Sequence, residues 1–309
     1  MSKEPGKQRL SRSRLTRWFG KDGLLPKVFV LPSLVVMLVF FYGFIGWTVL
    51  LSMTDSRMLP SFSNFIGLQQ YVALFTAQPR WLVAMRNLVV FTGLFIAICI
   101  IVGLILAILL DQRIRAGRLL QTIYLYPMAL SFIVTGTIWR WMLNPTMGLE
   151  RVVRSLGFTE FEFRWLVDTD MALYTLVIAA AWQSTGYIMT LFLAGLRGID
   201  SSIPQAAMVD GATTPRIYAS IIVPMLRPVF LSAVVILAHL AIKAFDLVVV
   251  MTGGGPGVST DMPATFMYDF SFRYDRLGMG AASSVVMLIM ILAIMVPYLI
   301  SESRGTRNV

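Results

Sequence analysis

Residues 87–110 read NLVVFTGLFIAICIIVGLILAILL, a run without one charged side chain. A helix of about 20 apolar residues crosses the hydrocarbon of a bilayer, so this stretch is long enough to span one. Cys99 lies inside it and is the only cysteine of the chain. No disulfide can form within the chain, and neither a zinc site nor a cysteine nucleophile has partners nearby. The thiol counts as a small apolar residue.

Outward from this run, residues 28–53, 120–143, 171–196, 229–251 and 277–300 are apolar stretches of similar length, charged only at Arg140 in the second of these and at Lys243 and Asp246 in the fourth. The reading is an all-α polytopic membrane protein with six transmembrane helices. A basic cytoplasmic segment covers 1–27, the membrane domain 28–301, and a cytoplasmic tail 302–309. Composition agrees: the 309 residues are 57% hydrophobic and 14% charged, with a mean hydropathy of +0.75. A soluble domain carries about 25% charged residues. The net charge of +10 could suggest nucleic acid, but a nucleic-acid footprint clusters basic residues on a solvated face, and here they sit between apolar runs. The first run follows eight basic residues (Lys3, Lys7, Arg9, Arg12, Arg14, Arg17, Lys21 and Lys27) and could pass for a signal peptide. At about 25 residues it exceeds the 7–15 of a signal core, and no small-residue cleavage site follows.

Lys and Arg accumulate in cytoplasmic loops. With the N-terminus inside, 16 of them fall on cytoplasmic segments and 9 on the external side, counting Arg140 near the outer end of its span, which predicts that both termini are cytoplasmic. Glu150, Glu160, Glu162, Asp168 and Asp170 all fall in the longest external loop, 144–170, which has room for a helix and a turn but not a domain. The cytoplasmic loop 197–228 is dense in helix signals. Ser202 and Gln205 fit a capping box, and Gly211 suits a left-handed C-terminal cap. Thr214 and Pro215 open a second helix at its N-cap and first position, and Pro224 closes it. Such a loop is most simply a solvated connector. Its first helix, however, shows Ala206, Ala207, Met208 and Val209, and a cytosolic helix exposing small apolar residues docks against something.

Gln205-Ala206-Ala207-Met208-Val209-Asp210-Gly211-Ala212, followed by Tyr218, Ile221, Pro224 and Pro228, resembles the EAA loop of ABC importer permeases. Lys243, Phe245 and Asp246, then Thr252-Gly253-Gly254-Gly255-Pro256 with Thr260, resemble the penultimate span and external loop of sugar permeases of the maltose and glycerol-phosphate type. Tyr126-Pro127, Trp139, Asn144-Pro145 and Gly148 are similar to the third span of that group. Within it, the stretches 124–148 and 238–246 look closest to glucose and mannose importers. Gln205 departs from the family's Glu, which keeps a hydrogen bond and removes a charge.

The resemblance implies a type I ABC importer permease fold in the cell inner membrane. It implies a second permease as heterodimer partner, two copies of an ABC ATPase, an external solute-binding protein and a sugar. ATP and Mg belong to the ATPase, with no cofactor in this chain, and the chain is not itself an enzyme. No G-x-x-x-x-G-K-[ST] phosphate loop occurs. The stretch 204–228, with Gln205, Ala206, Ala207, Asp210, Gly211, Ala212, Tyr218 and Pro224, would couple to the ATPase. Glucose or mannose is the implied substrate, with an oligosaccharide or glycerol-3-phosphate as the alternative.

A pathway needs polar groups at membrane depth, where charge is costly. His239, Lys243 and Asp246 at i, i+4 and i+7 would share one face of a fifth-span helix. They could touch sugar, or Lys243 and Asp246 could neutralise each other and fix packing. In the fourth span Trp182, Gln183, Ser184 and Tyr187 offer rings and hydrogen-bonding groups to a pyranose, or they anchor at an interface. An ion-coupled secondary transporter using His239, Lys243 and Asp246 as a proton relay is the rival from another class. Six spans without an inverted repeat and the docking loop speak against it. A membrane-embedded enzyme is disfavoured by the single histidine.

Overall fold

The computed structural model describes residues 24–112 and 116–305, which include no β-strand; a lone bridge pairs Thr54 with Phe65. The expected segment 1–27 falls almost wholly outside them. Of the described residues, those from Leu24 to Leu50 belong to a unit by themselves: α1 (Leu24–Met37) runs through a π turn (Leu38–Tyr42) into α2 (Gly43–Ser52). These helices make one apolar stretch, Phe29–Ser52, long enough to span a membrane.

The remainder is the second unit. The short α3 (Gln69–Thr76) leads to α4 (Pro79–Asp111), whose 33 residues begin eight before the expected run because Pro79 is tolerated in a first helical turn. The chain continues through α5 (Gly117–Leu125), α6 (Phe132–Met142), α7 (Leu149–Ser155) and α8 (Ala172–Arg197). Helices α9 (Ser202–Val209), α10 (Thr214–Ile217) and α11 (Val223–Met225) lie in the loop 197–228. Then follow α12 (Arg227–Ile242), α13 (Asp246–Met251), α14 (Pro263–Phe272) and α15 (Leu277–Gly305), the last extending past the expected end at 300.

Helix α8 is the centre. Nearly three quarters of its apolar stretch is buried, and α4 lies along it. Their approach is close because Gly103 lets Ile188 and the Met189 backbone in; a Cβ at 103 would lie 3.0 Å from Ile188. Phe91, Phe95, Cys99 and Ala107 of α4 pack with Leu176, Ile188 and Phe192 of α8 and Leu237 and Ala241 of α12. Cys99 is fully buried in this core.

Among the described residues four helices are long and apolar enough to cross a membrane, and two bent pairs bring the number to six if each is one span. The third expected span, 120–143, is therefore not one helix. It breaks at Leu130 and Ser131 with a bend of 98° between Gly117–Ala129 and Phe132–Met142. Pro127 starts the break, since the chain passes through a 3-10 turn (Tyr126–Ala129) and Ser131 then caps α6 by accepting from the Val134 N–H. The fifth expected span, 229–251, is broken too, at Lys243, Ala244 and Phe245.

A second, smaller core joins Leu74, Trp81, Phe266, Phe270, Met279 and Ala282. Beside it Arg80 forms ion pairs with Asp261, which is fully buried, and with Asp269. Asn87 donates to the Ser259 and Asp261 carbonyls, both at 2.9 Å, so the loop after α13 is tied to the Arg80 end of α4. In the loop 144–170, buried Glu150 of α7 accepts from Arg154 at 2.8 Å and from the Phe163 N–H at 3.1 Å. This is the helix and turn that the length of the loop predicts.

Candidate functional site

Two regions carry the residues singled out by sequence. The first is the loop between α8 and α12. The capping box expected at Ser202 does not form; instead the Asp200 carboxylate accepts from the Ser202 N–H at 2.9 Å. Aspartate readily bonds the backbone two residues ahead, and here it satisfies the first free donor of α9. That bond, with one from the Ser202 hydroxyl, holds the exposed Asp200 carboxyl below its ordinary value.

The other end of α9 is as the sequence predicts. Gly211 has φ of 82°, and the helix closes with the Gly211 N–H on the Met208 carbonyl and the Ala212 N–H on that of Ala207, both at 3.0 Å. This double bond pattern is the glycine-dependent Schellman closure, which uses up carbonyls left free at the helix end. Ala207 and Ala212 pack inward against the main core. Gln205, Ala206, Met208, Val209 and Asp210 face outward, with Val209 88% exposed.

The second helix of the loop is not the simple one expected. Thr213 rather than Thr214 is its N-cap, and after Ile217 the chain widens into a π turn (Tyr218–Ile222) before α11. Pro224 does not close this segment but sits in the first turn of α11, where its missing N–H costs no bond. The bend of 64° comes at Leu226, between Thr214–Met225 and Arg227–Ile242. Tyr218 is half-buried against the core and, with Asp111, Arg197, Pro204 and Met208, bounds a cleft of about 410 Å³ beneath α9.

The second region lies in the long helices. Trp182, 41% exposed, meets Trp139 edge-on at 6.0 Å and lines an apolar cavity of about 590 Å³ with Tyr124, Tyr126 and Pro127. Gln183 and Ser184 are buried, and Tyr187 is half-buried against the core. Gln183 Nε2 is engaged within the protein, donating to the Leu130 carbonyl at 2.8 Å. An apolar interior offers no water to a carbonyl freed by a helix break, so a side chain must supply the donor. Gly186, one turn on, lets α8 touch the same strand of chain; a Cβ there would collide with the Tyr124 carbonyl.

His239, Lys243 and Asp246 also fail to share one helix. Helix α12 stops at Ile242, and α13 starts at Asp246. The reason is legible in burial: Ile242 and Leu247 are buried whereas Lys243 and Asp246 are exposed. In an unbroken helix Ile242 would share a face with Asp246, and Lys243 with Leu247, since positions four apart are neighbours. The break resolves the conflict, and Phe245 packs on Tyr268 at 5.1 Å. No ion pair joins Lys243 to Asp246 among the described residues. Sequence reading missed Gln183 as a backbone staple and the set Arg80, Asp261 and Asp269. The latter leave no local signal, because 181 and 189 residues separate the partners.

Residues 99–304 match the family described as the binding-protein-dependent transport system inner membrane component. The chain is 38% identical over 280 residues to a probable ABC transporter permease protein of Pyrococcus horikoshii, covering 90% of this chain and 95% of that one. It is 40% identical over 275 residues to a xylose/arabinose import permease protein of Haloferax volcanii, covering 88% and 84%. In fold it is similar to a chain in the crystal structure of a bacterial ABC transporter that imports the acidic polysaccharide alginate. The TM-score is 0.76 at 21% identity, over 93% of this chain and 98% of that one.

Proposed function

Because this chain belongs to the binding-protein-dependent transport system inner membrane component family, we propose that it is a permease subunit of an ATP-driven sugar importer. The observation that carries the coupling role is α9: a short helix fixed at both ends, by Asp200 and Gly211, that turns Gln205, Ala206, Met208 and Val209 to solvent. A rigid, uncovered apolar helix on a polar loop is a docking element. It seats in one of two cytosolic ATPase copies, which bind ATP and Mg and drive the spans between inward and outward states. Gln205 offers that partner a neutral hydrogen bond. Both termini and α9 lie in the cytoplasm, as the excess of Lys and Arg on those segments supports. A second permease completes the pathway, and an external binding protein delivers the solute.

The sugar assignment is supported by relatives named as xylose/arabinose, trehalose/maltose and sn-glycerol-3-phosphate permeases, so a monosaccharide such as glucose or mannose stands beside an oligosaccharide or glycerol-3-phosphate as the solute. In this chain the pathway carries His239, Lys243 and Asp246 at the fifth-span break and Trp182 beside the apolar cavity. The experiment is purification of the tagged chain from membranes. An ATPase subunit is expected to co-purify, and Val209→Glu is expected to release it while leaving the chain in the membrane. Retention of the ATPase by that variant would remove α9 as the contact.

A further inference from the structure

The 64° bend at Leu226 is accompanied by a hollow of about 540 Å³, lined by Val223, Pro224, Arg227, Phe230 and Leu231. These are positions i, i+1, i+4, i+7 and i+8, a spacing that keeps one face through the bend. Four of the five are apolar and the fifth is an arginine. The Phe230 ring rests on that of buried Phe192 at 4.7 Å, so one wall is set by the main core, while Leu231 stays exposed.

One contact gives the depth of the hollow in the bilayer. The Ser232 and Tyr298 hydroxyls meet at 2.9 Å, which brings Ser232 close to the level of Ile300, where the apolar stretch Leu277–Ile300 ends. Helix α12 runs into the membrane from Arg227 toward Ile242. At a rise of 1.5 Å per residue, Arg227 therefore stands about 7.5 Å nearer the water than Ser232. The guanidinium is at headgroup level, and Phe230 and Leu231 are at the top of the acyl chains.

Arg227 is exposed and takes part in no ion pair among the described residues. Its own stretch cannot neutralise it, since residues 211–245 contain Arg216, Arg227 and Lys243 but no Asp or Glu. Asp111, at the end of α4, is engaged by Arg197 at 3.9 Å. A guanidinium offers a planar fork that matches a phosphate, and cations at a membrane boundary draw anionic lipid. A soluble phosphate would satisfy the arginine and leave the apolar wall uncovered. A cytosolic protein reaches the arginine but not Leu231, which lies on the bilayer side. A phospholipid covers both.

We propose that the hollow at this bend binds one anionic phospholipid, with its phosphate on Arg227 and an acyl chain against Val223, Phe230 and Leu231. The lipid braces the point where the loop carrying α9 turns into the fifth span. The site requires the chain in a bilayer but no particular solute, so it stands or falls apart from the import reading.

The test uses the complex extracted from membranes, stripped of lipid in detergent and titrated with phosphatidylglycerol or phosphatidylcholine of identical chains, with retained lipid counted by native mass spectrometry. Phosphatidylglycerol is expected to be held about fivefold more strongly, and Arg227→Gln to remove that preference without changing retention of phosphatidylcholine. Glycerophosphoglycerol, the headgroup without chains, is expected not to displace the lipid; displacement would mark a soluble-phosphate site and overturn the proposal. Equal retention of the two lipids by the parent, or of phosphatidylglycerol by parent and variant, would also overturn it. So would loss of another subunit from Arg227→Gln at parental lipid retention, which would mean that a protein covers the arginine. A photoactivatable phosphatidylglycerol tests the parent alone, whatever the stability of the variant: label within residues 223–231 is expected, and its absence there would remove the site.

Discussion

Gln183 donates from Nε2 to the Leu130 carbonyl at 2.8 Å, so a side chain of the fourth span closes the gap left by the broken third. Gln183→Met keeps the volume and removes the donor. A buried carbonyl without a partner costs about 1–3 kcal/mol, so the melting temperature of the purified complex is expected to fall. If Gln183 instead touched sugar, uptake would fall at unchanged melting temperature.

Gly211 has open space around the position a Cβ would take, so the cost of a side chain there is conformational alone. At φ of 82° that cost is about 1–2 kcal/mol for an ordinary residue and less for asparagine. Gly211→Val is expected to leave membrane expression near normal, weaken ATPase association and abolish receptor-stimulated ATP hydrolysis with uptake. Gly211→Asn is expected to retain most of all three. Equal behaviour of the two variants would detach the cap from coupling.

Arg80 serves two acidic partners, Asp261 and Asp269, and is itself largely covered. Breaking a buried ion pair by removing one partner costs about 3–5 kcal/mol, because the other charge stays behind. Arg80→Met, which strands the fully buried Asp261 and leaves Asp269 with Arg273 alone, is expected to reduce folded complex more than Asp269→Asn. Yields of monodisperse complex after detergent extraction decide the order.

Topology can be read by cysteine labelling in a Cys99→Ala background. Ser61, Thr159 and Val258 are accessible positions expected to label from outside, and Ser201 only after permeabilisation. Ser259 is a poor reporter, because its hydroxyl is buried and its carbonyl is held by Asn87. External labelling at Ser201 would invert the orientation.

Long apolar runs are legible as spans because the bilayer imposes length and composition directly, and the glycine cap at 211 is legible because only a residue without Cβ adopts that backbone freely. The breaks are harder. Hydropathy averages over 120–143 and 229–251 and registers no interruption at Leu130 or Lys243. The alternation of buried Ile242 and Leu247 with exposed Lys243 and Asp246 does contain the signal, but it appears only when faces are compared instead of totals. The placement of Gln183 and the pairing of Arg80 depend on which segments meet in three dimensions. No spacing along the chain expresses that.

The tie between Arg80 and Asp261 has a consequence for synthesis. Its halves leave the ribosome 181 residues apart, so the Arg80 end of α4 stays unfinished until almost the whole chain has been made. A chain truncated after α12 can insert its earlier helices and still lack the clasp that seals them.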